Sequence, residues 1–167
     1  TVLTKHCTHL LPRAPNPALA LLHCLEFLGQ LVLRPDWPDE LASLEQPEVL
    51  DSLARLLGVS DFLWKDFLRM QHANLFPVVR DVAALATAKS KAGLQAELSA
   101  ALESANDGQA RRAVLNAFKD REMFRVDMRQ IQGHIARFGQ FSQELTDLAE
   151  VTVETAARIC EEELRTQ

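Results

Sequence analysis

Apolar residues recur at Ala110, Val114, Ala117, Phe124, Met128, Ile131, Ile135 and Phe138. The steps alternate four and three, with one gap at Arg121, which keeps a single stripe on one side of a helix turning every 3.6 residues. The spacing predicts one long helix over 107–138, capped by Asp107 at the Asn106-Asp107-Gly108 turn and broken by Gly139. At about 1.5 Å per residue such a rod is roughly 45 Å long, and the rest of the chain is expected to pack along it.

Upstream, residues 1–16 hold Pro12 and Pro15 and no sustained period, and are expected to form an irregular arm. Asn16 caps a helix with Pro17 at its first position. Its run Leu19, Leu22, Leu25, Phe27, Leu28, Leu31 and Val32 is apolar on more than one face, as in a buried helix, and His23 and Cys24 are expected in the core or at its boundary. Pro35 stops it by Arg34. Two short helices follow, one from Pro38-Asp39-Glu40, the other from Pro47 to Gly58 with Val49, Leu50, Leu53, Leu56 and Leu57 inward. Ser60 caps a helix over 61–72 that carries Phe62, Leu63, Trp64, Phe67, Leu68 and Met70. Pro77 opens another toward Thr87, and an Ala-rich segment covers 94–103. Ser142 caps the last helix, 143 to about 164, with Leu145, Leu148, Ala149, Thr152, Ala156 and Ile159 inward. The expected fold is an all-α bundle of about seven helices organised on the rod. Residues 17–167 are expected to form a single helical domain after the arm.

Composition sharpens this picture. There is no Tyr among 167 residues, and Leu and Ala dominate, so a sheet has little to be built from. The net charge of −5 disfavours sequence-independent nucleic-acid binding, which rests on Lys and Arg neutralising phosphates. Cys7, Cys24 and Cys160 are far apart and odd in number, the usage of reduced thiols in a cytoplasmic protein. No apolar run approaches the roughly 20 residues that span a bilayer, and no signal peptide is visible. The first residue is Thr1 rather than Met, as in a piece of something longer.

Catalytic chemistry finds no purchase in this pattern. The six glycines are isolated, so no loop cradles phosphate. No Asp-x-Asp occurs to hold divalent ions, and no nucleophile sits beside a base. His6, Cys7 and His9 are close together but lack the further ligands of a metal site. The chain is therefore expected to use no cofactor or metal of its own. The polar exception is 119–129, where Arg121 interrupts the stripe and Arg125 and Arg129 follow. A buried guanidinium is costly unless paired, and the last helix offers Glu144, Asp147, Glu150 and Glu154. The favoured expectation is an ion pair between helices, Arg121 or Arg125 with Asp147 or Glu150. The alternative is an Arg pair facing a phosphate carried by a partner domain.

The segment Phe118-Lys119-Asp120-Arg121-Glu122-Met123-Phe124-Arg125-Val126, followed by Glu144-Leu145-Thr146-Asp147-Leu148-Ala149-Glu150, resembles the bifunctional glutamine synthetase adenylyltransferase / adenylyl-removing enzyme family. That family carries an Arg-Arg-x-Met-x-Arg-Ile-like helix, then a Ser-x-Leu-Ala-(Asp/Glu)-like helix. Leu56-Leu57-Gly58-Val59-Ser60-Asp61-Phe62-Leu63 is similar to an earlier helical segment of it. Lys119-Asp120 and Thr146 depart from the usual residues, and the Gly-Ser…Asp-x-Asp signature of the family's active site is absent. The resemblance implies a helical region preceding a nucleotidyltransferase domain. It implies a parent that moves AMP to or from glutamine synthetase, with Mg and ATP, under a PII signalling protein. Only Arg121 and Arg125 match motif positions, in a structural or domain-orienting role. The rival expectation is a stand-alone helical interaction module, which offers a groove to a partner helix.

Overall fold

The computed structural model describes residues 2–33, 35, 37–59, 61, 64–65, 78 and 81–165. Among the described residues the structure is all-helical, with no strand. It divides into two compact units, Thr1–Ala86 and Thr87–Gln167.

The first unit opens with α1 (Val2–Leu10) and a 3₁₀ turn (Leu11–Arg13). The expected irregular arm is therefore mostly helical. Its prolines fall after α1, with Pro12 in the first positions of the 3₁₀ turn, where a missing N–H costs nothing. α2 (Pro17–Leu31) starts as expected, with Asn16 Oδ1 accepting the Leu19 N–H at 3.1 Å. It buries one stripe only, Ala20, His23, Cys24, Phe27 and Leu31. Its other face is open to solvent, with Leu22 64% and Leu25 61% exposed, so α2 is not enclosed on all sides. α3 (Trp37–Ser43) is short.

α4 (Pro47–Leu57) is the centre of the unit and touches α1, α2 and α5 (Val82–Leu85). Val49, Leu50, Leu53, Ala54, Leu56 and Leu57 are all buried, each worth roughly 1.5–3 kcal/mol for the larger side chains. Gly58 follows at the carboxyl end, where a Cβ would come within 2.9 Å of Ala14 Cβ, so only glycine lets the segment before α2 pass. Trp64 is fully buried, stacks on His23 at 5.0 Å and meets the Phe27 ring edge-on at 6.3 Å. Most of the expected helix over 61–72, and the expected helix start at Pro77, lie outside the described residues. Asp81 caps α5, accepting the Ala84 N–H at 3.0 Å.

The second unit consists of α6 (Lys91–Leu102), α7 (Gly108–Ile131) and α8 (Gln140–Arg165). α6 begins three residues before the expected 94, because Ser90 Oγ accepts the Gly93 N–H at 3.1 Å. Asp107 caps α7 as expected, accepting the Ala110 N–H at 2.7 Å. The rod ends at Ile131 rather than 138. Gly133 takes φ +79°, the Gly133 N–H bonds the Gln130 carbonyl at 3.1 Å and the His134 N–H bonds that of Arg129 at 2.9 Å. These paired bonds of the last turn close a helix against further growth. Ile135 and Phe138 therefore leave the stripe, and Phe138 is fully exposed.

α7 and α8 run antiparallel, since Arg111 pairs with Glu162 and Arg129 with Glu144. The apolar core joins Leu94, Leu98 and Leu102 of α6 to Leu115 and Phe118 of α7 and to Leu148, Val151 and Ile159 of α8. Its α7 face keeps two residues of the expected stripe, Met128, fully buried, and Val114, packed against the core, and adds a row one position over. Leu115, Phe118, Glu122, Arg125 and Arg129 point inward, while Ala117 is exposed. On α8 the inward row is Glu144, Leu148, Val151, Thr155 and Ile159; Leu148 and Ile159 match the expected face, and Ala149 is exposed. No helix among the described residues is long and apolar enough to cross a membrane.

Candidate functional site

The inward row of α7 changes character halfway. Leu115 and Phe118 belong to the apolar core, then Glu122, Arg125 and Arg129 continue the same face as charges with 1%, 6% and 1% exposure. Their placement follows from helical spacing alone: steps of three and four keep them over one another.

Glu122 is the hub. Its Oε2 accepts from Arg125 Nε at 2.7 Å, and its Oε1 accepts from Lys89 Nζ at 3.0 Å and Arg121 Nε at 3.2 Å. Burial works against its charge, yet the hydrogen bonds from Arg125 and Lys89, with their positive charges, outweigh it and hold the carboxyl below its ordinary 4.5. Arg125 also donates from Nη1 to the Thr87 carbonyl at 3.3 Å, and Lys89 reaches Glu97 at 2.5 Å. One turn on, Arg129 grips Glu144 with two bonds, Nε to Oε2 at 2.9 Å and Nη2 to Oε1 at 3.2 Å. Gln140 Nε2 donates to the same Oε1 at 3.0 Å. A planar fork against a carboxylate fixes angle as well as distance.

The sequence-predicted residues lie close by but pair differently. Arg121 is partly exposed; its guanidinium lies 5.2 Å from the Phe118 ring centroid and bonds Glu122. Arg125 is buried on Glu122 and Thr87. Asp147 accepts from Gln143 on its own helix at 2.7 Å. Glu150 accepts from Lys91 at 2.9 Å, as does Glu154 at 3.0 Å. The expected pairing of Arg121 or Arg125 with Asp147 or Glu150 is thus replaced by Arg129–Glu144. The antiparallel register explains why. With Arg129 level with Glu144, four residues back on α7 is level with four residues forward on α8. Arg125 then faces Leu148 and Arg121 faces Thr152, neither of them acidic.

Sequence reasoning noted Arg129 and Glu144 but passed over Glu122 and Lys89. The usable signal was the spacing Glu122–Arg125, an i,i+3 pair on the inward face. At the far end, Arg112 forms two bonds of 2.7 Å to Glu163, beside Arg111–Glu162. Partly buried Asp127, also on α7, has its carboxyl pushed up by burial.

The chemistry of this cluster is that of a clamp. Glu122 is held by three cations, Glu144 by Arg129 and the Gln140 amide, and the Arg125 guanidinium donates to protein oxygens. A phosphate would have to displace those contacts. Among the described residues, no three His, Cys, Asp or Glu gather to hold a metal ion. These residues do not fit Mg or the phosphates of ATP, and no step through either is assigned to them.

A family model described as glutamate-ammonia ligase adenylyltransferase matches residues 50–167. No curated protein and no solved structure matches the chain. The matched span takes in the α7 charge row together with every partner named for it. By a match that covers well over half of its residues, the chain belongs to the glutamate-ammonia ligase adenylyltransferase family.

Proposed function

We propose that this chain is a non-catalytic helical region of a glutamine synthetase adenylyltransferase / adenylyl-removing enzyme, and that it packs against and orients a nucleotidyltransferase domain. In this reading AMP moves to or from glutamine synthetase on that other domain, which binds Mg and ATP, and a PII signalling protein governs the direction. One observation carries the reading: the α7–α8 hairpin is pinned in register at both ends, by Arg112–Glu163 and by the buried Arg129–Glu144 fork. A rod held this way transmits a fixed orientation, and a misplacement of about 1 Å costs an active site as much as 100-fold in rate. Arg121 supplies the contact point. Its side chain is 38% exposed, and its charge is anchored by Glu122 and Phe118.

The test is Arg121→Ala in the enzyme that carries this region. AMP transfer to glutamine synthetase is expected to fall by about tenfold or more. Helicity and stability should stay within about 1 kcal/mol, because the residue is half exposed. Unchanged transfer contradicts the reading. A second reading, a helical interaction module without an attached enzyme, is favoured by the exposed face of Leu21, Leu22, Leu25, Val32 and Leu33. It predicts no dependence of AMP transfer on Arg121.

A further inference from the structure

His23 lies on the inward stripe of α2, 4% exposed, with both ring nitrogens engaged. Nδ1 is 2.8 Å from the carbonyl oxygen of Leu57, the last residue of α4. Nε2 is 2.8 Å from Asp61 Oδ1. Neither oxygen can donate. A carbonyl only accepts, and the bond from His23, helped by Lys65, holds the Asp61 carboxyl below its ordinary 3.8, so it is a carboxylate at neutral pH. A neutral imidazole donates from one nitrogen and presents a lone pair at the other. Two donated bonds need two ring protons.

The surroundings suit a cation. The Leu57 carbonyl stands at the negative end of α4, among those with no partner inside the helix. The ring stacks on Trp64 with centroids 5.0 Å apart, within the reach of a cation over an aromatic face. Trp64 is held in turn by Glu26, one turn along α2, whose Oε2 accepts from Nε1 at 2.8 Å. Lys65 reaches the other oxygen of Asp61, Oδ2, at 3.2 Å. On α4, Arg55 is taken by Asp51 at 3.2 Å, and on α1 Lys5 and His9 are exposed. Among the described residues, Asp61 is the one ionisable side chain that the ring itself bonds.

We propose that His23 is a proton-operated latch: doubly protonated, it ties the end of α4 and Asp61 to α2, and on losing the Nε2 proton it lets Asp61 go. Which bond opens follows from burial. Leu57 is fully enclosed, and a buried acceptor left without its donor is costly. The Asp61 side chain is 60% exposed, so it turns to water and Lys65 instead. The proton passes from Nε2 to solvent, Nδ1 keeps its own, and the lone pair left on Nε2 repels the carboxylate. The latch is therefore closed on the acid side and opens as pH rises. Histidine is the side chain whose charge ordinarily changes between about pH 5 and 8, so a modest change of pH works it.

The experiment uses the full chain with Trp37→Phe, which leaves Trp64 as its single tryptophan. Nitrogen-15-labelled histidine is followed by two-bond proton–nitrogen spectra from about pH 5 to 8.5, and Trp64 emission is read on the same samples. The expected result is a His23 ring protonated on both nitrogens at the acid end, then loss of the Nε2 proton alone, with Trp64 emission changing along the same curve. His23→Gln should leave the emission flat. Asp61→Asn, at an exposed position, should keep the fold by circular dichroism and move the step down by about one pH unit or more. The proposal is overturned if the ring carries one proton throughout, if it keeps both throughout as a static ion pair would, or if the alkaline form holds its proton on Nε2. An unmoved step in Asp61→Asn overturns it too.

Discussion

Replacing Arg129 by Met tests the clamp where its energy is greatest. Met keeps much of the volume and removes the fork. Glu144, whose side chain is only 7% exposed, would keep a single side-chain donor, Gln140 Nε2 at 3.0 Å. Removing one partner of a buried ion pair leaves a charge that has lost its hydration and its counter-ion, and costs about 3–5 kcal/mol. The pair as a whole is worth far less against an apolar substitute, because both ions were desolvated to form it. Arg129→Met with Glu144→Leu should therefore recover most of the loss and fall within about 1 kcal/mol of wild type. Urea denaturation followed by helical circular dichroism measures all four corners of the cycle. The single variant should also melt roughly 10 °C lower. A coupling of at least about 2 kcal/mol is expected. A single variant that loses less than about 1 kcal/mol, or a double variant as weak as the single, would refute the clamp.

Three further outcomes follow from the same packing. Glu122 is held below its ordinary 4.5, so its contribution is present above that pH and is lost as pH falls through the lower folded value; the stability gap between wild type and Glu122→Gln should close below pH 4.5 in an acid titration. Leu115→Ala should cost about 2–4 kcal/mol and Ala117→Ser less than about 0.5 in the same urea assay, because Leu115 is inward and Ala117 is not. Gly133→Ala should cost about 1 kcal/mol in thermal melts: a Cβ there meets nothing within 4 Å, so the whole effect is the left-handed backbone at φ +79°.

Local chemistry told the sequence reader where helices begin. Asn16-Pro17, Pro47 and Asp107 each satisfy or remove N–H groups within a few residues, so α2, α4 and α7 start where the sequence says. The end of α7 was less legible. Counting apolar residues carried it through Ile135 to Phe138, but Gly133 adopts a positive φ and the paired carbonyl bonds stop it first. The inward face of α7 was legible only in part, at Val114 and Met128, for a related reason. Three of its positions are Glu122, Arg125 and Arg129, and a hydrophobic count passes over charges that are buried as pairs. Two of their partners come from outside α7: the antiparallel register of α7 and α8 sets Glu144 against Arg129, and the turn before α6 brings Lys89 to Glu122.

The claim that this region serves a nucleotidyltransferase domain is tested most directly by reading the coding sequence past Gln167. The account predicts an open frame that runs into a Gly-Ser or Gly-Gly turn followed by Asp-x-Asp. A stop codon at that point, or a frame with no such signature, would contradict it.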